Sequence, residues 1–368
     1  MKKIAMIFPY APSYREPIYK LMDETFDVDF FFCESNHIKL KYMDYSILKN
    51  CSQNLKERVI YHDWIFFKGL SDIKIDDYDA LILPGTIRNL SVWTTFIKCR
   101  LFHKNVQTLI WTHGDYGKNS YIQKIIKKIY FGLCDRILLY GEYARKKILE
   151  QNLAQDKKLT VIYNSLDYDK QLEYRIPNDN KNPFVKHFGN NNKNLVFIGR
   201  LTPVKKLDMI IEAISMLKEK GLKVNFTFIG DGVVREKLEK LSDDKGIRNQ
   251  IWFYGTCFEE KEISHLLNFA DLCLSPGNVG LTAMHSLAYG VPVITHGNFK
   301  EQMPEFEAID NWETGAFFEE NSIESLVETI VTWFERNQNP MEIRQKCYRV
   351  IDKFYNPHKQ IEILKEIL

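Results

Sequence analysis

Arg200 and Lys205 follow the apolar run 195–198 and Gly199, with Lys205 falling where a helical period begins. Two cations beside a strand end and a helix start suit the oxygens of a diphosphate. Further on, Pro276-Gly277-Asn278-Val279-Gly280 leads into an apolar helical stretch at Leu281 and Thr282. The glycines let a ligand approach the backbone, and the free N–H groups of residues 280–282 would face it with the positive end of the helix dipole. A third segment, Gly230-Asp231-Gly232, joins an apolar run to another helical period. It is not the dinucleotide fingerprint G-x-G-x-x-G, because position 235 is Arg. It reads as a tight turn with an aspartate cap. Glu305 and Glu307 lie in a loop after the buried run Val291–Thr295. The chemistry these residues suit is the holding of a diphosphate-bearing ligand.

The surrounding pattern supplies the elements that position them. Short apolar runs at 4–8, 28–32, 80–83, 108–111, 136–140 and 159–162 alternate with amphipathic stretches at 17–24, 90–102, 120–131 and 142–152. Such alternation predicts βαβ units and a parallel sheet covered on both faces. Residues 164–193 are polar, rich in Asn and interrupted by Pro, and read as a linker. A second series follows, with strands at 195–199, 225–230, 251–254, 272–275 and 291–295, and helices at 205–219, 233–242, 259–269, 280–289, 322–336 and 357–367. The expected organisation is therefore an N-terminal Rossmann-like domain over 1–165, a linker over 166–193 and a C-terminal Rossmann-like domain over 194–353. A last helix, about 354–368, is free to pack back on the first domain. Doubly wound sheets bind ligands at the carboxyl ends of their strands, so tandem domains predict a ligand cleft.

Composition bounds the partners. At 368 residues with 45% hydrophobic and 27% charged side chains, the chain is globular and long enough for two domains. No apolar run approaches the roughly 18 residues of a spanning helix. Seven scattered cysteines without C-x-x-C argue against zinc or a disulfide framework and fit a reducing, cytoplasmic location. Net charge is only +2, but residues 1–170 hold 26 Lys/Arg against 20 Asp/Glu. The excess concentrates in residues 88–147, with twelve basic residues and three acids. Within it, segments 92–104 and 121–131 mix basic and apolar residues at helical spacing, which suits the inner face of an anionic membrane. An ordinary surface helix with its apolar face in the core explains the same pattern. The chain is not basic enough overall for nucleic acid and carries no recognition motif.

The ordered set "GRL-x3-K" (199–205), "GDG" (230–232), "ADLCLSPGNVGLTAMHSLAYGVPVI" (270–294), "PEFEAI" (304–309) and "TGAFF" (314–318) resembles the C-terminal domain of retaining glycosyltransferases of GT-B fold, family 4 (group 1). "IWTHGDYG" (110–117), "CDRILLYGEYARKKI" (134–148) and "VIYNSLD" (161–167) resemble the first domain less tightly. The resemblance implies two Rossmann-like domains and a hexosyl transfer from a nucleotide diphosphate sugar to an acceptor hydroxyl. A UDP-sugar is favoured as donor, then a GDP-sugar. The basic amphipathic segments 92–104 and 121–131 point to a saccharide or polyprenyl-linked saccharide at the membrane face as acceptor, in cell-surface polysaccharide assembly such as lipopolysaccharide or capsule. By the same resemblance, Arg200 and Lys205 neutralise the leaving phosphate, and His113 stands near the reacting sugar. Gly199, Gly230, Asn278, Val279, Gly280, Leu281 and Thr282 line the donor, and Glu305 belongs to a donor-side loop. For His113 a strand-end role is the alternative, and for Glu305 a solvated loop acid.

Two departures matter. The family's Glu-x7-Glu pair falls on Gly277 and His285, so both carboxylates are missing. His285 keeps the ability to hydrogen-bond a ribose hydroxyl, while sugar recognition passes to Asn278, Glu305 or Glu307. The usual N-terminal glycine pair is also absent. Tyr14, Arg15 and Glu16 stand there instead, as candidate acceptor-binding residues or as an exposed turn. Asp27-Val-Asp29 and Asp77-Tyr-Asp79 are D-x-D strings, read as surface acids rather than metal ligands. A metal-independent reaction without cofactor is expected, with positive charge from Arg200, Lys205 and the helix dipole. The alternatives are a non-catalytic nucleotide-binding partner of another transferase and a GT-B sugar-nucleotide epimerase.

Overall fold

The computed structural model describes residues 2–34, 41–176, 181–336 and 339–368. The chain forms two compact units, Met1–Asp167 with Asn356–Leu368, and Tyr168–Tyr355.

The first unit is built on strands β1 (Lys3–Phe8), β2 (Asp27–Cys33), β3 (Cys51–Tyr61), β4 (Trp64–Lys68), β5 (Ala80–Pro84), β6 (Gln107–Thr112), β7 (Arg136–Leu139) and β8 (Leu159–Val161). They form one sheet in the order β4-β3-β2-β1-β5-β6-β7-β8. Every pairing is parallel except the β3–β4 hairpin. Alternate residues of β1 enter opposite cores: Ala5 and Ile7 pack with Leu81, Leu83 and Phe96. Ile4 and Met6 pack with Tyr19, Phe30 and Phe32. That two-sided burial is why the strands read as continuous apolar runs. Order reverses between β2-β1 and β5, which makes the carboxyl ends of β1 and β5 the switch point.

The helix Pro357–Ile367 packs on the helix Glu16–Thr25. Gln360 holds it there, accepting from the Ser165 hydroxyl at 2.6 Å and donating to the Tyr163 carbonyl at 3.0 Å.

The second unit repeats the plan with β9 (Lys193–Ile198), β10 (Val224–Ile229), β11 (Ile251–Gly255), β12 (Leu272–Ser275), β13 (Val293–His296) and β14 (Gly315–Phe318). These pair in parallel in the order β11-β10-β9-β12-β13-β14. Here the switch point lies at the ends of β9 and β12.

Three features differ from the sequence expectation. The β3–β4 hairpin was unforeseen, because β3 is largely solvent-exposed and has no apolar run. The helix Pro340–Phe354 was also unforeseen. Much of the stretch 166–193, expected as a linker, is built into the second unit: Tyr168–Tyr174 and Pro183–Phe188 are helices. Phe184 is fully buried with its ring against Trp252, and Arg175 forms a two-pronged pair with Asp352. Residues 177–180 of that stretch lie outside the described residues.

Both D-x-D strings lie where β2 and β5 begin, at the opposite end of the sheet from the switch point. Asp29 accepts from the Tyr78 hydroxyl at 2.8 Å and pairs with Lys3 at 3.5 Å. Asp79 accepts from the Lys3 N–H at 2.8 Å. Their acids tie strand starts together.

Candidate functional site: a diphosphate cradle

In the second unit, the loops leaving β9, β10 and β12 are stitched into one surface. Gly199 donates its N–H to the Ile229 carbonyl at 3.0 Å, and Leu201 donates to Asp231 at 2.9 Å. A Cβ on Gly230 would collide with the Gly199 carbonyl, so only glycine lets these two turns touch. Gly277 donates to the Lys205 carbonyl at 3.0 Å. The Thr282 hydroxyl, buried, donates to the Ile198 carbonyl at 2.7 Å. The start of the helix Leu281–Ala288 is thereby fastened to the end of β9.

Lys205 is drawn into this surface. Its ammonium donates to the Asn278 carbonyl at 2.6 Å and to the Val279 carbonyl at 3.3 Å. An ammonium has a further donor to offer. Burial pushes Lys205 down to about 8, Glu305 pulls it up and Arg200 pushes it down. A lysine in this state gains its full charge when an anion arrives. Arg200 is exposed, and among the described residues no hydrogen bond or ion pair holds it. Gly280 enters the helix at φ 52°, ψ −146°, a backbone conformation suited to glycine. The N–H groups of Leu281 and Thr282 follow in the first turn, ahead of the intrahelical ladder. Two cations and a helix N-terminus at the switch point form an anion cradle.

Not every residue singled out in the sequence serves as expected. Val279 is fully buried and its N–H donates to the Gln302 amide oxygen at 2.9 Å, so it is not a free phosphate donor. Gln302 itself was missed. Its amide nitrogen donates to the Thr295 hydroxyl at 2.9 Å and the His296 carbonyl at 3.0 Å, locking the cradle loop to β13. No local pattern marks a glutamine whose partners lie on other loops.

Glu305 is not a solvated loop acid: it is 2% exposed and acts on Lys205. The charge acting on His285 is that of Glu260, which also accepts from the Tyr289 hydroxyl at 2.6 Å. Burial lowers the His285 pKa, and its Nδ1 is buried without a hydrogen-bond partner.

Gly277 has a steric cause. A Cβ there would strike the Val204 carbonyl oxygen and come within 2.7 Å of the Lys205 Cα. No carboxylate-bearing side chain fits at 277 while the Pro203–Lys205 turn stays in place.

In the first unit, Arg15, Tyr14 and His113 gather at the ends of β1, β6 and β7. The Arg15 guanidinium carbon lies 5.2 Å from the Trp111 ring centre and 5.4 Å from that of Tyr140, and the His113 ring lies tilted against Tyr140 with centroids 4.8 Å apart. His113 is pushed down to about 4, by desolvation first and by Arg15 second. The loop after His113 is pinned by Asp115, which is 1% exposed. Asp115 accepts from Asn119 at 2.5 Å, Gln151 at 2.6 Å, the Gly117 N–H at 2.7 Å and the Lys127 ammonium. Burial alone would raise its pKa, but these hydrogen bonds lower it. Glu16 opens the helix Glu16–Thr25 as a first-turn acid.

Residues 178–350 match the family model of the glycosyl transferases group 1. This segment is a group 1 glycosyl transferase domain. An uncharacterized glycosyltransferase of Methanocaldococcus jannaschii is 24% identical over 319 residues, covering 83% of this chain and 77% of the relative. A GDP-mannose-dependent alpha-(1-6)-phosphatidylinositol dimannoside mannosyltransferase of Mycobacterium tuberculosis is 34% identical over 103 residues, or 27% of this chain and 26% of the relative. Among solved structures, Anabaena HepE in complex with UDP superposes with a TM-score of 0.75 at 14% identity, covering 100% of this chain and 99% of HepE. The fold is thus of the GT-B type. With the group 1 domain and relatives that carry the name, the chain is a glycosyltransferase. The cradle around Arg200, Lys205 and Gly280 lies inside the group 1 domain.

Proposed function

We propose that this glycosyltransferase moves a hexosyl unit, with retention at the anomeric carbon and without a metal ion, from a nucleotide diphosphate sugar to a saccharide or lipid-linked saccharide. The acceptor oxygen forms its bond to the anomeric carbon as the bond to the phosphate oxygen breaks. The nucleoside diphosphate leaves and takes up the acceptor proton. Arg200, Lys205 and the N–H groups of residues 280–282 stabilise the charge that develops on the leaving phosphate. The observation that carries this reading is the convergence of Lys205 and the helix start at Gly280 on one switch point. Glu305, the acid acting on Lys205, takes over sugar recognition from the carboxylate that cannot fit at 277. The UDP complex of HepE favours a UDP-sugar, and the mycobacterial relative makes a GDP-sugar the next to try.

The test is nucleoside diphosphate release from a panel of UDP-, GDP- and dTDP-sugars with EDTA present, followed by phosphorus NMR. Release from one donor, dependent on a saccharide acceptor, supports the reading. The steric exclusion of a carboxylate at 277 favours a second reading, a non-catalytic nucleotide-binding partner. Binding without any release, with or without added magnesium, selects it.

The same enzyme docks on the inner face of an anionic membrane. In the helix Tyr121–Leu133 only Tyr130 and Phe131 are buried; Ile122, Ile125 and Ile129 are exposed beside Lys124 and Lys128. On the neighbouring helix Leu90–Phe102, Ile97, Leu101 and Phe102 are exposed beside Lys98. Lys127 is spent on Asp115 and Arg100 on Asp135, so they do not serve the surface. Among the described residues no helix is long and apolar enough to cross a membrane. Ile125→Glu/Ile129→Glu should abolish co-sedimentation with phosphatidylglycerol vesicles while leaving release from a soluble acceptor intact. Unchanged sedimentation of that variant rules the surface out.

A further inference from the structure

Among the described residues Arg15 is a cation without a counter-ion. Its backbone is fixed by hydrogen bonds across the loop that leaves β1: Ser13 to the Lys41 carbonyl at 2.9 Å, Arg15 to Pro12 at 2.9 Å and Met43 to Ala11 at 3.0 Å. The guanidinium lies among the rings of Trp111, Tyr140 and Tyr14, and donates to the Tyr19 hydroxyl at 3.3 Å. The groups that act on its charge are the phenols of Tyr19 and Tyr14; no described carboxylate pairs with it. Tyr19, fully buried, is itself held against Phe30 and Phe32, so the phenol cannot swing away. The Trp111 indole N–H, in the same cluster, is buried without an acceptor. His113 stays neutral at pH 7 and adds no charge of its own.

Arg15 is half-buried, and a guanidinium partly withdrawn from water among aromatic rings is favoured further when an anion completes it. Its planar fork suits phosphate and carboxylate oxygens above other groups. Arginine stacked on aromatic faces is also presented in a fixed plane, which lowers the entropic cost of a two-pronged contact.

We propose that Arg15, with Tyr14, Tyr19 and the Trp111 N–H around it, is an anion site of the first unit that takes a phosphate or carboxylate group on the acceptor. The word acceptor rests on the transferase reading; the anion site does not. It gives the acceptor a chemical class: an acidic saccharide, as a uronate or a phosphate ester, or a saccharide joined through phosphate to its carrier.

The His113 imidazole is the reporter. Histidine C–H signals of the full chain are followed by NMR across pH, with the His113→Gln variant assigning the signal. Inorganic phosphate, glucose 1-phosphate, glucuronate and UDP are the probes. In the wild type, phosphate or glucuronate should saturably raise the His113 midpoint by about one pH unit, because the anion offsets the Arg15 charge. Arg15→Gln should raise the resting midpoint and remove the response to anions, while Arg15→Lys keeps part of it. Arg200→Ala/Lys205→Ala should lose UDP binding yet keep the His113 response to phosphate, so failure of the donor cradle and of this site are told apart. Response to phosphate but not glucuronate selects the phosphate-bearing acceptor, and the reverse selects the uronate. The proposal is overturned if no anion moves His113, if Arg15→Gln responds as the wild type does, or if only UDP acts and its effect vanishes with Arg200→Ala/Lys205→Ala.

Discussion

The proposed diphosphate cradle of the second unit lies at the ends of β9 and β12 and the Arg15 cluster of the first at the ends of β1, β6 and β7, and the two are assembled differently. The cradle is made of contiguous strand–turn–helix segments: Gly199 to Lys205 after β9 and Gly277 to Thr282 after β12. Its ligand-facing groups are backbone N–H donors and two cations close in sequence. The Arg15 cluster draws single side chains from the ends of β1, β6 and β7, with Trp111, His113 and Tyr140 supplying mostly ring faces. The first kind of site suits a constant group, such as the diphosphate proposed for it, because its donors are fixed by the backbone. The second is built from separate side chains, each of which can be replaced without remaking the backbone.

The comparison breaks most readily at the cradle. Arg200→Ala/Lys205→Ala should lower turnover by about 10²–10³-fold, the loss typical of removing charge stabilisation at a leaving group. Arg15→Gln should act instead through the KM for the acceptor. Steady-state kinetics with both substrates varied separates the two, and equal effects on the donor KM would merge the sites.

Stability should divide the same regions. Gly277→Glu, which adds a carboxylate at this turn, should destabilise by about 3 kcal/mol through collision with the 204–205 backbone and should not raise turnover. In the first unit, Asp115→Ala should cost a comparable amount, about 3 kcal/mol, because Lys127 would be left beside a buried void without its partner. Both are read from urea unfolding. The Asp115 contribution is full at neutral pH and is lost as pH falls through its lowered folded pKa, below the ordinary carboxylate range. Gln302→Ala is milder, about 1–2 kcal/mol for the Val279 N–H left unpaired.

The smallest effect is the pH dependence of donor affinity. Lys205, at about 8 in the free protein, is charged below that value. Nucleoside diphosphate affinity should therefore be full below pH 8 and fall by about tenfold per unit above it, until the bound-state pKa is reached. Calorimetry across pH 7–9.5 measures this, and Lys205→Arg, which stays charged, should flatten the profile.

What the sequence disclosed follows the same division. The alternation of apolar runs and amphipathic stretches, and the glycine-punctuated turns, disclose both parallel sheets and the turns that leave β9, β10 and β12, because each is a local pattern. The β3–β4 hairpin was hidden because β3 is exposed along most of its length and needs no apolar run, and β4 is only five residues long. The polar stretch 166–193 concealed helices whose few anchors, Phe184 and Arg175, find their partners far along the chain. Gln302 and the aromatic seat of Arg15 are tertiary features with no spacing to announce them. The glycine at 277 is plain in the sequence, but the turn at 203–205 that presses on it is not.

The most direct measurement is saturation-transfer NMR of the wild type and of Arg200→Ala/Lys205→Ala against UDP-, GDP-, dTDP- and CMP-sugars in the presence of EDTA. Binding of one donor class, lost in the double variant while its circular dichroism and melting stay unchanged, is the expected result. A folded wild-type protein that binds none of them, or a double variant that binds as well as the wild type, would contradict the cradle as the donor site.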